Sequence, residues 1–392
     1  MNILIIHNHY IQYGGEDVVF EQETRLLIKN HHHVVTFTRN NRDISNYSNL
    51  SLALNTLWNK ETYGQVRNII RNEQIDIVHI HNTFPIISPS VIYAAQSLRV
   101  PVVQTLHNFR LVCANALLYR NSSICEKCLG KFIPYPAVQY RCYHNSLLHT
   151  TSVVCLQLLH RLMGTWQKQV DRFIALSAFS RHKMIQAGLP QDKIVIKPNF
   201  IENDPGMRDT GGEYAVFIGR LAAEKGILTL LKAWEKLPHV PLRIIGAGPL
   251  QGTVEEASHR YPAISYLGFQ NRETIFKLLK NARFLILPSS LYENFPITLI
   301  EAFACGVPVI TSNVGVPSEI VQNNIHGLLY QAGNADELAQ VVRHLWENPH
   351  ISTQMGIQAR LEYENKYSAD KNYACLLKIY EDVIHQKRNI AY

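Results

Sequence analysis

At 392 residues, with 46% hydrophobic and 18% charged residues, the chain has room for two domains and an ordinary globular balance, which excludes a disordered or fibrous protein. No run approaches about 18 uninterrupted apolar residues, and residues 1–6 lack a basic leader with a long apolar core. Neither a membrane span nor a signal peptide is expected, and the cytoplasm is the expected compartment. Charge is uneven: residues 1–200 carry 20 Lys and Arg against 11 Asp and Glu, net +9, and the remainder is net −2. A basic first half suits an acidic partner, such as a lipid-linked pyrophosphate or the anionic inner face of the cell membrane.

Residues 2–7 (NILIIH) read as a short buried strand, followed by a turn at Tyr13-Gly14-Gly15-Glu16, a helix to about Asn30 and a strand over 33–38. Gly14 and Gly15, where strand meets helix, would let backbone approach a ligand closely. Residues 75–79 and 100–105 read as further strands, and the second ends in Leu106-His107-Asn108. Alternating strands and helices predict a parallel, doubly wound sheet with its site at the carboxyl ends of the strands. His107 sits at such an end, and His79 and His81 read as lining of the same region.

Residues 109–146 form a basic insert with Cys113, Cys125, Cys128 and Cys142 among Arg110, Arg120, Lys127, Lys131 and Arg141. The short C-x2-C and the two outer cysteines could make a four-thiolate structural zinc site, against a reading as buried or unpaired thiols. Residues 146–166 read as a packed helix, with a membrane-surface helix as the alternative. Strands at 171–176 and 194–196 enclose a helix over 177–187 capped by Ser177. Residues 202–212 are polar, with Pro205 and three glycines, and mark a linker.

The second half opens with a strand at 214–218 and Gly219-Arg220-Leu221-Ala222-Ala223-Glu224-Lys225-Gly226. A strand at 242–245 meets Gly246-Ala247-Gly248-Pro249, but Gln251 stands where a dinucleotide loop needs glycine, so no nicotinamide cofactor is expected. A strand at 264–269 follows. The apolar run 284–287 is the next strand, ended by Pro288-Ser289-Ser290, and Pro296 occupies the expected first position of a helix. Glu293 precedes that helix and Glu301 lies about 7–8 Å down it. Between them the N–H groups near Phe295, Ile297 and Thr298 suit an anion such as a diphosphate, and the two carboxylates suit sugar hydroxyls. A strand over 307–311 and amphipathic helices over 337–346 and 369–384 complete the chain.

The E-x7-E of Glu293 and Glu301, set in Glu-Asn-Phe-Pro and followed by Ala-Phe-Ala-Cys-Gly-Val-Pro-Val, resembles the signature of the retaining family 4 glycosyltransferases. Gly219–Gly226 is similar to that family's Gly-Arg-Leu-x-x-Glu-Lys-Gly, Gly246–Pro249 to its Gly-x-Gly-Pro, and Thr105–Asn108 to its Thr-x-His-(Asp/Asn). The resemblance implies the GT-B architecture: two Rossmann-like, doubly wound parallel-sheet domains facing a central cleft. It implies an acceptor-side domain at 1–198, a linker at 199–212, a nucleotide-sugar domain at 213–375, and a helix at 376–392 returning to the first domain.

It further implies a UDP- or GDP-linked sugar as donor, a saccharide or lipid-linked acceptor, and a role in surface polysaccharide or glycolipid synthesis. His107 would lie near the donor sugar, Arg220 and Lys225 at the diphosphate, Glu293 on the hexose and Glu301 on the ribose. Gly14, Gly15, Gly219, Gly248, Phe295, Pro296, Ile297 and Thr298 would complete the donor site. The chemistry would need no divalent metal, and a zinc on the cysteines would only shape the acceptor side. The absence of Asp-x-Asp from the sequence argues against the metal-dependent glycosyltransferase architecture. Two alternatives compete: an epimerase or phosphorylase on the same scaffold, and a basic zinc-knuckle module binding nucleic acid beside an idle cleft. The intact Arg220, Lys225, Glu293 and Glu301 set argues against an idle cleft, so no nucleic-acid partner is expected.

Overall fold

The computed structural model describes residues 1–209 and 211–390; position 210, in the expected linker, and positions 391–392, in the expected C-terminal helix, lie outside the described residues. The strands are β1 (Asn2–His9), β2 (His33–Asn40), β3 (Ile77–Ile80), β4 (Val102–Leu106), the short pair β5 (Tyr119–Arg120) and β6 (Ser123–Ile124), β7 (Arg172–Ala175) and β8 (Ile194–Ile196). They continue as β9 (Tyr214–Ile218), β10 (Leu242–Ile245), β11 (Ile264–Tyr266), β12 (Ala282–Leu287), β13 (Val309–Ser312) and β14 (Gly327–Tyr330). Two six-stranded sheets result, ordered β2-β1-β3-β4-β7-β8 and β11-β10-β9-β12-β13-β14. Every pairing in them is parallel, with helices on the crossovers.

The chain divides into two compact units. The first comprises Met1–Leu118, Glu126–Asn199 and the chain from Asn372 onward; the second comprises Tyr119–Cys125 and Phe200–Lys371. In the first, Ile3, Ile5, Ile77, Val103 and Ile174 of the sheet pack with Phe20 and Leu27 of the helix Gly15–Lys29. The long helix Ala369–Ile390 adds Leu376, Ile379, Tyr380 and Val383 to this same core. In the second unit, Ala215, Phe217, Ile244, Phe284 and Ile286 pack with Leu338, Val342 and Leu345 of the helix Ala335–Glu347.

Several elements differ from expectation. Pro296 is the residue before the helix Ile297–Ala304, not its first residue. The strand β14 and the helix Pro349–Lys366 were not expected. That helix buries Ser352, Met355, Gly356, Ala359 and Tyr363, largely small residues that write no apolar stripe. The reason is close approach: a Cβ on Gly356 would lie 2.2 Å from the Gly306 carbonyl oxygen. The helix Leu147–Leu162 buries Val153, Val154 and Leu156 but leaves Leu147, Leu148 and Leu162 exposed. Among the described residues no helix is long and apolar enough to cross a membrane.

Because Leu376 is fully buried in the first unit's core, Leu376→Ala should destabilise that unit by about 2–5 kcal/mol. A clear fall in the Tm of thermal unfolding checks this. An unchanged Tm would mean the C-terminal helix contributes nothing to the core.

Candidate active site

In the second unit the loop after β9 and the loop after β12 are held together by backbone. The Ser290 N–H donates to the Glu224 carbonyl at 3.0 Å. Gly226 has φ +75°, and a Cβ there would sit 1.9 Å from the Pro288 carbonyl oxygen, so only glycine lets the two loops close. Lys225, one residue earlier, thereby reaches Glu293 and its Nζ donates to Oε1 at 2.5 Å. Ser289 Oγ donates to the same oxygen at 2.6 Å. Burial by itself raises the Glu293 pKa, but the Lys225 charge and these hydrogen bonds outweigh it and hold the carboxyl below its usual value. Arg220 is half-exposed and paired with Glu224.

The helix Ile297–Ala304 has no side-chain cap and no acidic residue in its first turn. Its first N–H groups, at Ile297 and Thr298, therefore retain a capacity for an anion. Phe295 packs against Tyr367, ring centroids 6.0 Å apart. Glu301, one turn into the helix, is buried, with Arg272 Nη2 3.3 Å from Oε1. Burial raises its pKa and Arg272 only partly offsets this. Gly248 is explained by packing, since a Cβ there would lie 2.5 Å from the Leu221 carbonyl oxygen; a Cβ on Gly219 would meet the Phe217 ring at 3.4 Å, an ordinary contact.

In the first unit His107, at the end of β4, places Nε2 2.9 Å from Nδ1 of His81. His81 Nε2 in turn lies 3.3 Å from Oε2 of Glu23, and Glu23 Oε1 accepts from Lys197. His107 lines a cavity of about 50 Å³ with Gln104, Asn108, Arg110, Gln157 and Trp166. Asn108 Nδ2 donates to Tyr10 Oη and to Glu16 Oε2, each at 3.2 Å, and burial pushes the Glu16 carboxyl up to about 8. His79 corrects the expectation of a lining residue: it is fully buried, 2.7 Å from Tyr380 Oη and 2.8 Å from Thr105 Oγ1. Gly14 caps the helix Gly15–Lys29, and its N–H is taken by Asp17 Oδ2 at 3.0 Å.

Sequence reasoning missed Glu23, Lys197, Ser289 and Arg272. Glu23 lies mid-helix with no motif around it, and its partner is 174 residues away. Ser289 stands inside the quoted Pro288-Ser289-Ser290, and Lys197 directly follows the strand at 194–196, but neither gave a sign of its partner.

Two groups among the described residues bring metal-ligating atoms within 4.8 Å of one another: His7, His9 and Asp17, and Glu23, His79 and His81. Neither fits a metal well. His7 Nδ1 is buried without a partner, whereas a ligating imidazole needs an acceptor for its second N–H. Lys197 already occupies Glu23. Neither group includes a cysteine. Cys113 Sγ hydrogen-bonds Asn115 Oδ1 at 2.9 Å, and Cys128 packs with Ala114, Ala137, Val153 and Val154, with Cys142 beside them.

Two family models match successive parts of the chain: glycosyltransferase family 4 over residues 13–204 and glycosyl transferases group 1 over residues 202–362. A Methanocaldococcus jannaschii glycosyltransferase of uncharacterized activity is 23% identical over 391 residues, covering 98% of this chain and 99% of its own. The O-antigen chain mannosyltransferase C of Escherichia coli is 27% identical over 248 residues, 58% of this chain and 67% of that one. Among solved structures, Anabaena HepE in complex with UDP superposes with TM-score 0.69 at 17% identity, covering 97% of this chain and all 100% of that one. Sucrose-phosphate synthase from Thermosynechococcus elongatus gives TM-score 0.73 at 16% identity, with 98% and 99% covered. The protein is a glycosyltransferase of the GT-B type. Within that class it is similar to family 4, and its relatives include enzymes of O-antigen and other polysaccharide synthesis.

Since the Glu301 pKa is raised in the fold, its stabilising contribution is present below the unfolded carboxylate pKa and is lost as pH rises through the folded one. At neutral pH the ionised side chain costs stability. Glu301→Gln should therefore stabilise the ligand-free protein at pH 7, by about 0.5–2 kcal/mol, with the gain vanishing in acid. Thermal unfolding against pH reads this, and a destabilised variant at pH 7 would contradict it.

Proposed function

We propose that the protein transfers a hexosyl group from a UDP-linked sugar to an acceptor hydroxyl with retention of anomeric configuration. The observation that carries this is the second unit's arrangement: a charged Glu293 held by Lys225, an uncapped helix N-terminus, and a buried Glu301 one turn further on. HepE's complexes with UDP and with UDP-glucose support uridine over guanine. The relatives in O-antigen and amylovoran synthesis support a saccharide or lipid-linked acceptor in surface polysaccharide assembly. The basic first half supports work at the inner face of the cell membrane.

In the proposed reaction the bond from the anomeric carbon to the diphosphate oxygen breaks as the bond to the acceptor oxygen forms on the same face. The acceptor proton passes to the leaving phosphate oxygen, so no separate protein base is needed. Lys225, Arg220 and the N–H groups of Ile297 and Thr298 stabilise the charge developing on the diphosphate. These groups supply the cationic character that a divalent metal would otherwise bring, and the reaction is proposed to run without one. Glu293 accepts from hexose hydroxyls through the oxygen that Lys225 and Ser289 leave open, and Glu301 accepts from the ribose. His107 is assigned a contact to the donor sugar in this proposal. A structural zinc on Cys113, Cys125, Cys128 and Cys142 is a separate proposal that rests on spacing alone, tested by the zinc content of the purified protein.

A panel of UDP, GDP and ADP in thermal unfolding tests the donor. UDP at about 100 times its dissociation constant should stabilise the wild type by about 2.7 kcal/mol, and Glu301→Gln should lose most of that shift. A larger shift with GDP or ADP would overturn the uridine assignment. No shift with any of the three would overturn the donor site.

A further inference from the structure

A chain of buried polar groups behind His107 fixes more than its position. The rings of His81 and His107 are nearly coplanar, 20° apart with centroids at 5.1 Å, so the 2.9 Å approach of Nδ1 to Nε2 is an in-plane contact between two ring nitrogens. Such a contact holds one proton, and which ring carries it decides what the far nitrogen of His107 presents. The other end of His81 faces Glu23: Nε2 and Oε2 approach to 3.3 Å as an ion-pair contact, and neither atom has a hydrogen-bonding partner. Glu23 is held as a carboxylate, because Lys197 donates to its second oxygen and both side chains are buried.

An ionised carboxylate only accepts, so the His81 nitrogen facing it must carry its proton. The Glu23 charge is already balanced by Lys197. A second proton on His81 would add an uncompensated cation to a buried group that also contains His7 and His79, with His107 half-buried beside it. His81 is therefore neutral, protonated on Nε2, and its Nδ1 is left as an acceptor. His107 must then supply the proton between the rings. We propose that Glu23, acting through His81, holds His107 in the tautomer protonated on Nε2, so that Nδ1 stands bare as a hydrogen-bond acceptor for a hydroxyl.

This makes Glu23 and His81 positioning residues, and it assigns His107 an accepting role toward a hydroxyl. The tautomer assignment stands on first-unit geometry. Its consequence for transfer rests on the reading of His107 as a sugar contact.

The test is a two-bond proton–nitrogen correlation of the full chain with 15N-labelled histidine, the His107 and His81 signals being assigned with His107→Gln and His81→Gln. The wild type should show His107 with a protonated Nε2 and an unprotonated Nδ1, and His81 in the same neutral form. Glu23→Gln, whose amide can donate as well as accept, should move His107 toward a mixture of tautomers. Its kcat should fall on the order of tenfold to a hundredfold, as when the partner of a ligating histidine is removed, with the UDP-induced Tm shift retained.

A doubly protonated His81, a wild-type His107 protonated on Nδ1, or an unchanged spectrum in Glu23→Gln would each overturn the proposal. If Glu23→Gln does not fold, the wild-type spectrum decides alone. Full transfer activity in His107→Ala would instead overturn the sugar contact while leaving the tautomer assignment standing.

Discussion

Each unit depends on a buried glutamate kept charged by a lysine from a loop just past a strand. Lys225 follows β9 and holds Glu293; Lys197 follows β8 and holds Glu23. Removing a carboxylate from water costs several kcal/mol, and losing one partner of such a pair costs about 3–5 kcal/mol because the other charge is stranded. A hydrophobic pair of the same volume would be at least as stable. The arrangement makes physical sense as a way to fix acceptor oxygens that do not reorganise when a polar ligand arrives.

The same constraint explains how little freedom the surrounding backbone has. Gly226 can only be glycine because the β9 and β12 loops meet at Pro288, and that meeting is what brings Lys225 to Glu293. Glu301 has no such ammonium. Its neighbour Arg272 is a third exposed, so burial prevails and the carboxyl is left short of partners. A ribose diol would supply the missing donors.

Much of this was legible from the chain. Apolar runs such as 284–287 and 214–218 fix strands because a parallel sheet is buried on both faces, and helical spacing fixes Glu301 relative to the start of its helix. What was not legible depends on distant partners. Glu23 reads as one more polar residue of an amphipathic helix until Lys197 is seen against it. His79 on β3 and His81 just past its end both face Glu23, yet Tyr380 closes over His79 and leaves His81 to couple to His107. The helix Pro349–Lys366 was missed because its buried face mixes Met355 and Tyr363 with Ser352, Gly356 and Ala359, small residues that serve close approach and write no apolar stripe.

The central claim is that the second unit's charged carboxylate, its lysine and its helix N-terminus together form a nucleoside-diphosphate site. The most direct measurement is a crystal structure of the full chain grown with UDP. The account predicts the diphosphate against Lys225 and the N–H groups of Ile297 and Thr298, with the ribose hydroxyls on Glu301. UDP bound without touching Glu301, or away from the start of the helix Ile297–Ala304, would contradict it.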